Sequence, residues 1–217
     1  MDFTFWDILR NLLVGLQWTL LLSLVAFACG GVAGLLLLLA RISPLQPLRV
    51  LARGYIELFQ GTPLLMQLFL VFFGIALLGV DVSPWLAAAC ALTLFTSAFL
   101  AEIWRGCVES IGRGQWEAAE SLAMSRLEVL RHVVLPQALR VTIAPTVSNF
   151  IGAVKDTSLV AIVNIYDITG SLKMAMSDPH WIAYFVEMYM VVCAVYLLIG
   201  LGIARYGRFL ESRYALQ

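Results

Sequence analysis

Charge is what this sequence has least of. Only 13% of its 217 residues are Asp, Glu, Lys or Arg, whereas 61% are hydrophobic. Soluble domains carry roughly 25% and about 45–50% of these classes. There are too few polar residues to form a shell around a bundle of this size, which excludes a water-soluble helical protein. Metal chemistry has little to work with. There are only two histidines, His132 and His180, and four cysteines, Cys29, Cys90, Cys107 and Cys193, none at metal-ligand spacing. The cysteines lie in or beside apolar stretches and read as ordinary core residues. No G-x-x-x-x-G-K-[ST], G-x-S-x-G or H-E-x-x-H sequence is present, which speaks against a self-contained ATPase and against an intramembrane hydrolase. The net charge is zero, so the total points to no nucleic-acid partner. The start carries Asp2 and Asp7 instead of a basic region, so no cleavable signal is expected.

What is present is a set of long charge-free runs: 12–40, 58–80, 82–101 and 188–204, the last extended by the apolar residues 181–186. A fifth, 141–166, is interrupted only by Lys155 and Asp156. About 20 apolar residues span the hydrocarbon core as a helix. Backbone groups must be satisfied internally there, and the alternating pattern of an outer-membrane barrel is missing. The expectation is an all-α integral membrane protein with five transmembrane helices, at about 12–40, 55–80, 82–104, 137–165 (broken) and 181–204. A lead-in, 1–11, carries Phe3, Phe5 and Trp6, and a tail follows at 213–217. Threaded this way, all 14 Lys and Arg except Arg10, Lys173 and the intramembrane Lys155 fall on one side. The positive-inside rule then puts the N-terminus outside and the C-terminus in the cytoplasm.

Along the chain, Gly15, Gly30, Gly31 and Gly34 in the first span suit close helix approach. Arg41 to Arg53 reads as a tight connection broken by Pro44 and Pro47. Gly61-Thr62-Pro63 should bend the second span. Beside it, Gln60, Thr62 and Gln67 either line a polar path or make ordinary interhelical hydrogen bonds. Glu102 and Arg105, three apart on one helical face, either pair with each other or face a water-filled cavity. Lys155-Asp156-Thr157-Ser158 interrupts the fourth span near mid-depth. With Gln67 and Glu102 it is the candidate border of a translocation pathway, against a structural Lys–Asp pair or a subunit contact. Leu159 to Ile168 is too short for another crossing, and a re-entrant turn is expected there. Asp167 to Pro179 should lie outside with a short helix.

The longest polar stretch, 106–140, lies between the third and fourth spans. Gln115 to Met124 reads as a helix with Trp116, Ala119, Leu122 and Ala123 on one face and Glu117 and Glu120 toward its N-terminal end. Ser125-Arg126-Leu127-Glu128 matches a capping box that starts a second helix. That helix has Leu127, Leu130, Val133 and Val134 as its apolar face. Pro136 suits a first helical turn. A segment this short, about 35 residues, does not fold unaided. It either docks into a partner's groove, with Trp116, Ala118 and Ala119 as the filling, or lies on the membrane surface.

Glu117-Ala118-Ala119, followed by Leu135-Pro136, resembles the EAA loop of ABC importer permeases. Gly114-Gln115-Trp116, Val134-Leu135-Pro136-Gln137-Ala138, Lys155-Asp156-Thr157-Ser158-Leu159-Val160, Gly61-Thr62-Pro63-Leu64-Leu65 and Ala101-Glu102-Ile103-Trp104-Arg105-Gly106 are similar to the polar amino-acid branch of that family. The likeness covers residues 12–212. It departs from the family where Ala123 stands in place of the usual loop glycine, Gln60 in place of a frequent arginine, and Cys107 in place of a common glycine. The resemblance implies a type I importer permease with a cytoplasmic coupling helix. Its contact residues would be Glu117, Ala118, Ala119 and Ala123, with Leu135 and Pro136 completing the motif. It implies a pair of permease subunits, an ATPase dimer holding ATP and Mg²⁺, and an external amino-acid-binding protein. No cofactor and no catalytic residue is expected in this chain. A secondary transporter or channel acting alone would instead need internal repeats or several charges along one span face, and neither is evident.

Overall fold

The computed structural model describes residues 5–182 and 184–214; Phe3 of the lead-in and the end of the tail lie outside the described residues. Helix α1 runs unbroken from Phe5 to Ile42. The lead-in and first span, expected as separate pieces, are therefore one helix of about 57 Å, against a hydrocarbon core of about 30 Å. The reason is local: no glycine or proline precedes Gly15. Helix α2 (Gln46–Gly61) starts with Pro47 in its first turn, so the connection expected over 41–53 shrinks to three residues.

The second crossing is broken more sharply than a bend. Helix α2 meets α3 (Leu64–Phe69), which continues as a π-wound turn Leu70–Gly74, at 104° across Thr62 and Pro63. Pro63 has no N–H to continue the ladder, and Thr62 is extended. Gln67 holds the elbow. Its Nε2 donates to the Phe59 carbonyl (3.0 Å), the Thr62 carbonyl (3.1 Å) and Thr62 Oγ1 (2.9 Å). Helix termini leave carbonyls without partners, and here one buried amide supplies them.

Helix α4 (Pro84–Glu109) is N-capped by Ser83, whose side chain accepts from Leu86 N. Two short helices follow, α5 (Arg113–Ser121) and α6 (Arg126–Val129). A π-wound turn, Leu130–Val134, leads into α7 (Leu135–Asp156). Pro136 explains that turn: its ring crowds the carbonyl four residues back, and a wider winding relieves the clash. After Asp156 the rod tightens into a 3₁₀ segment, Thr157–Val163, and ends at Asn164 with φ 60°. The re-entrant turn expected there is not formed; the break is a change of winding within one rod. Helices α8 (Ile168–Ala175), α9 (Pro179–Ile182) and α10 (Phe185–Tyr214) complete the order. Among the described residues, four helices are long and apolar enough to cross a membrane, and the broken α2–α3 pair, taken as one span, makes five.

Helix α4 is the centre. Ala87, Ala88, Ala91, Ala98 and Ala101 are all buried, and α1, α2, α3 and α7 pack around them. A Cβ on Gly30 would come within 3.0 Å of Thr96, and one on Gly34 within 3.0 Å of the Ser97 carbonyl. The order of these contacts makes α1 and α4 parallel. Gly200 faces Ile151 and Gly207 faces Val147, so α10 runs against α7. Trp104 Nε1 donates to Thr146 Oγ1 (3.0 Å), tying the end of α4 to the early part of α7. Helices α1, α4 and α10 thus share one direction and α7 opposes it, which is the alternation that five crossings require.

The α1–α4 seam gives the first prediction. Gly34→Leu forces atoms into α4 backbone and should cost about 1–3 kcal/mol, read as a lower unfolding temperature in detergent. Gly54→Ala, whose Cβ meets nothing within 4 Å, should leave that temperature unchanged or raise it.

Candidate functional site

Two features stand out, and α4 and α7 join them. The first is the folded unit between these helices. Ala119, Val129 and Val134 are buried together, with Val108, Ile111, Trp116, Met124, Leu130 and Val133 packed against them. Val108 comes from the end of α4, and Val133 and Val134 from the π-wound turn that runs directly into α7, so the unit is built onto both spans. Gln137 Nε2 reinforces the join, donating to the Val133 carbonyl (2.8 Å) and Gln115 Oε1 (3.3 Å).

Helix α5 ends in a Schellman motif. Ala123 N donates to the Glu120 carbonyl (2.9 Å) and Met124 N to the Ala119 carbonyl (3.4 Å). The residue at the left-handed position is Ala123, φ 56°, where glycine would be free of strain. The expected capping box follows: the Ser125 side chain accepts from Glu128 N, and Glu128 Oε2 accepts from Ser125 N (2.8 Å). It fixes the start of α6 immediately after the strained residue.

The predicted contact residues separate into two groups. Glu117, Ala118, Ala123 and Pro136 are exposed and Leu135 partly so, whereas Ala119 is buried in the unit's own core. Trp116 is half-buried and packs against the same core. Glu120 lies near the C-terminal end of α5, not the N-terminal end expected of it. The most exposed apolar pair of this unit is Leu122 (78%) and Leu127 (73%). Leu122 shares the expected face of Trp116 and Ala119, and Leu127 that of Val133 and Val134, yet both point away from the core. The left-handed turn at Ala123 rotates them out, and the signal for it was the pairing of Ala123 with the Ser125 cap.

The second feature is an open cavity of about 420 Å³ between α4 and α7. Helix α4 contributes Phe95, Thr96, Phe99 and Ile103. Helix α7 contributes Pro145, Ser148, Asn149, Gly152, Ala153 and Asp156, which fall at three-to-four spacing on one face. Asp156 is the one ionisable side chain in this lining, and no hydrogen bond or salt bridge to its carboxylate is made among the described residues. Asn149 Oδ1 is buried and has no partner. Buried polar atoms are rarely left so.

Of the predicted pathway residues, only Asp156 lines this cavity. Lys155 is exposed and makes no salt bridge with Asp156, so the expected alternative of a Lys–Asp pair is not formed. The Thr157 hydroxyl is buried and donates to the Val154 carbonyl (2.8 Å), and Ser158 is half-buried outside the lining. Gln67 serves the α2–α3 elbow beside a separate apolar cavity. Glu102 pairs with Arg105, which also reaches Glu109. Asn149 and Ser148 were missed; a lone Asn seven residues before Asp156 on the same helical face was the available sign.

The family model described as "binding-protein-dependent transport system inner membrane component" matches residues 27–215. The chain belongs to this family. It is a permease subunit of an ABC importer, a transport subunit and not an enzyme. Its relatives include the probable amino-acid ABC transporter permease YckA of Bacillus subtilis, 33% identical, covering 93% of this chain and 88% of that one. The octopine transport system permease OccM of Rhizobium radiobacter is 35% identical, covering 95% and 86%. The amino-acid ABC transporter permease YhdY of Escherichia coli is 35% identical over 92% of this chain, which spans 55% of YhdY. Among solved structures, an amino acid ABC transporter crystallised with histidines superposes with a TM-score of 0.89 at 30% identity, over 98% of this chain and 100% of that one.

The permease's strained loop residue yields a second prediction. Ala123→Gly should stabilise the 113–134 unit by about 1 kcal/mol. Amide exchange there should slow about fivefold in detergent-purified protein, and Ser125→Ala should speed it.

Proposed function

We propose that this permease imports polar amino acids across the inner membrane, driven by a separate ATPase that grips the 106–136 loop. The observation that carries the reading is structural. The loop's core joins the end of α4 to the π-wound turn that runs into α7, and α4 and α7 are the two helices that wall the 420 Å³ cavity. A force on the loop's outer surface therefore reaches both walls without passing through a flexible linker. Glu117, Ala118, Leu122, Ala123 and Leu127 form that outer surface. Ala119, Leu135 and Pro136 set its shape instead of touching a partner.

In this account the loop faces the cytoplasm, the start of α1 lies outside, and the C-terminus is cytoplasmic. The distribution of arginines supports this threading. ATP and Mg²⁺ stay on the ATPase dimer. A second permease subunit completes the pathway, and a binding protein delivers substrate from outside. The subunit does no covalent chemistry; ATP-driven closure favours one of its two conformations over the other. The cavity is the passage. Asp156 offers an acceptor to an ammonium group, Ser148 and Asn149 add polar side chains to the lining, and Phe95 and Phe99 supply aromatic faces that attract cations.

Reconstitution with ATPase and binding protein tests both parts. Glu117→Lys should lower ATP-driven uptake at least about tenfold, a coupling loss of about 1.4 kcal/mol, while the protein still folds. Full-speed uptake would refute the coupling role. Asp156→Asn should lower uptake and ATPase stimulation by substrate to a similar degree. Unchanged affinity and selectivity would remove Asp156 from the passage.

A further inference from the structure

The most deeply buried carboxylate in the described residues lies neither in the loop nor in the cavity. Asp167, in the connection after the fourth crossing, is fully buried. Its Oδ1 accepts from Gly170 N (2.8 Å) as the N-cap of α8, and its Oδ2 accepts from the Tyr196 hydroxyl on α10 (3.1 Å). That hydroxyl lies 3.2 Å from Thr169 Oγ1. From the other side, Thr19 Oγ1 on α1 accepts from Ile168 N (3.2 Å). The fit is tight, because a Cβ on Gly15 would stand 2.7 Å from the Asp167 carbonyl. Helix α8 is thus fastened to α1 and α10 through polar groups sunk in an apolar cluster of Ile8, Ile168, Leu172, Met188 and Val192.

An N-cap needs only one acceptor and is ordinarily exposed to water. Here no Lys, Arg or His among the described residues makes a salt bridge with the carboxylate. The charged groups on the elements packed around it lie elsewhere. On α1 they are Asp7 and Arg10, nearer the helix start. On α10 the nearest along the helix are Glu187 and Arg205, each nine residues from Tyr196, and on α8 it is Lys173, which is exposed. The 3₁₀ segment carries none, and Tyr166 after it is exposed. Beyond that segment lie Lys155 and Asp156 of α7, and past α8 lies Asp178. An uncompensated buried charge is costly, and the simplest relief is protonation.

Ten residues separate Asp167 from Asp156: the 3₁₀ segment, its left-handed stop Asn164, and Ile165 and Tyr166. The seating of α8 is therefore linked to the end of the cavity wall. We propose that Asp167, with Tyr196, Thr169 and Thr19, is a proton-sensitive latch that holds α8 against α1 and α10, so that transport responds to pH on the side α8 faces.

The sign follows from burial, which pushes the Asp167 carboxyl up to about 6. The seated form holds its proton more tightly than a released carboxylate with the ordinary value of about 3.9. Seating is strongest at low pH, weakens as pH rises through 6, and is constant above that. Amide exchange over residues 168–175, corrected for intrinsic rates, should therefore speed by about tenfold between pH 5 and 7.5. Asp167→Asn should abolish this dependence. In reconstituted uptake of glutamine, whose charge is constant over that range, wild type should gain rate as external pH rises and Asp167→Asn should not. Tyr196→Phe removes a donor to the carboxylate and should move the midpoint upward in both assays. It stands in if the Asn variant does not fold. Profiles that superimpose for wild type and Asp167→Asn, or a Tyr196→Phe midpoint that stays in place, overturn the latch. The exchange measurement needs no transport, so it can fail or succeed independently of the importer reading.

Discussion

A small apolar core outside the crossing segments governs this permease. Ala119, Val129 and Val134 are buried together, and the residues closing over them include Val108 at the end of α4 and Leu130 and Val133 in the π-wound turn that runs into α7. Remove that core and the polar stretch 106–140 becomes a tether, because a segment of this size has too little apolar surface to hold itself. With it, the loop is an extension of two spans. The small residue at Ala119 follows from this role: α5 lies close on Val129 and Val134, and a larger side chain would lift it away.

Local strain is concentrated where the loop turns. Ala123 adopts a left-handed conformation that glycine adopts freely, and the Ser125–Glu128 cap follows at once. The turn exposes Leu122 and Leu127, which in water would be a liability. The same logic applies inside the protein. The α2–α3 elbow leaves carbonyls unpaired and Gln67 gathers them, while Asp167 ties a short helix across two spans. In each case a polar side chain sits where regular helix ends within apolar surroundings, as backbone satisfaction in lipid requires.

Much of this was legible in the residues. Charge-free runs located all five crossings, since hydrophobic length is dictated by the bilayer. The capping box and the glycine seam of α1 were readable because each rests on local chemistry. Boundaries were less so. Nothing in residues 5–14 marks a helix start distinct from the span, and Pro47 reads equally as a breaker or a first-turn residue. Which apolar residues of the loop helices turn inward was not legible: Trp116 and Leu122 share an expected face, yet Trp116 packs on the core and Leu122 is exposed, because α5 ends before Leu122 and the left-handed turn at Ala123 redirects the chain. The candidate passage was legible only at Asp156. Gln67, Glu102 and Lys155 are polar for reasons that only three-dimensional packing reveals, and Asn149 has significance only once its carbonyl is seen to lack a partner.

The central claim is mechanical: loop and cavity walls move together. Paired spin labels on the reconstituted complex test it most directly, with one pair at Ser121 and Arg140 and another at Phe99 and Gly152. Through the nucleotide cycle the first distance should stay fixed while the second changes. A first distance that changes while the cavity pair holds still would mean that the loop swings free of the spans, and the account would be wrong.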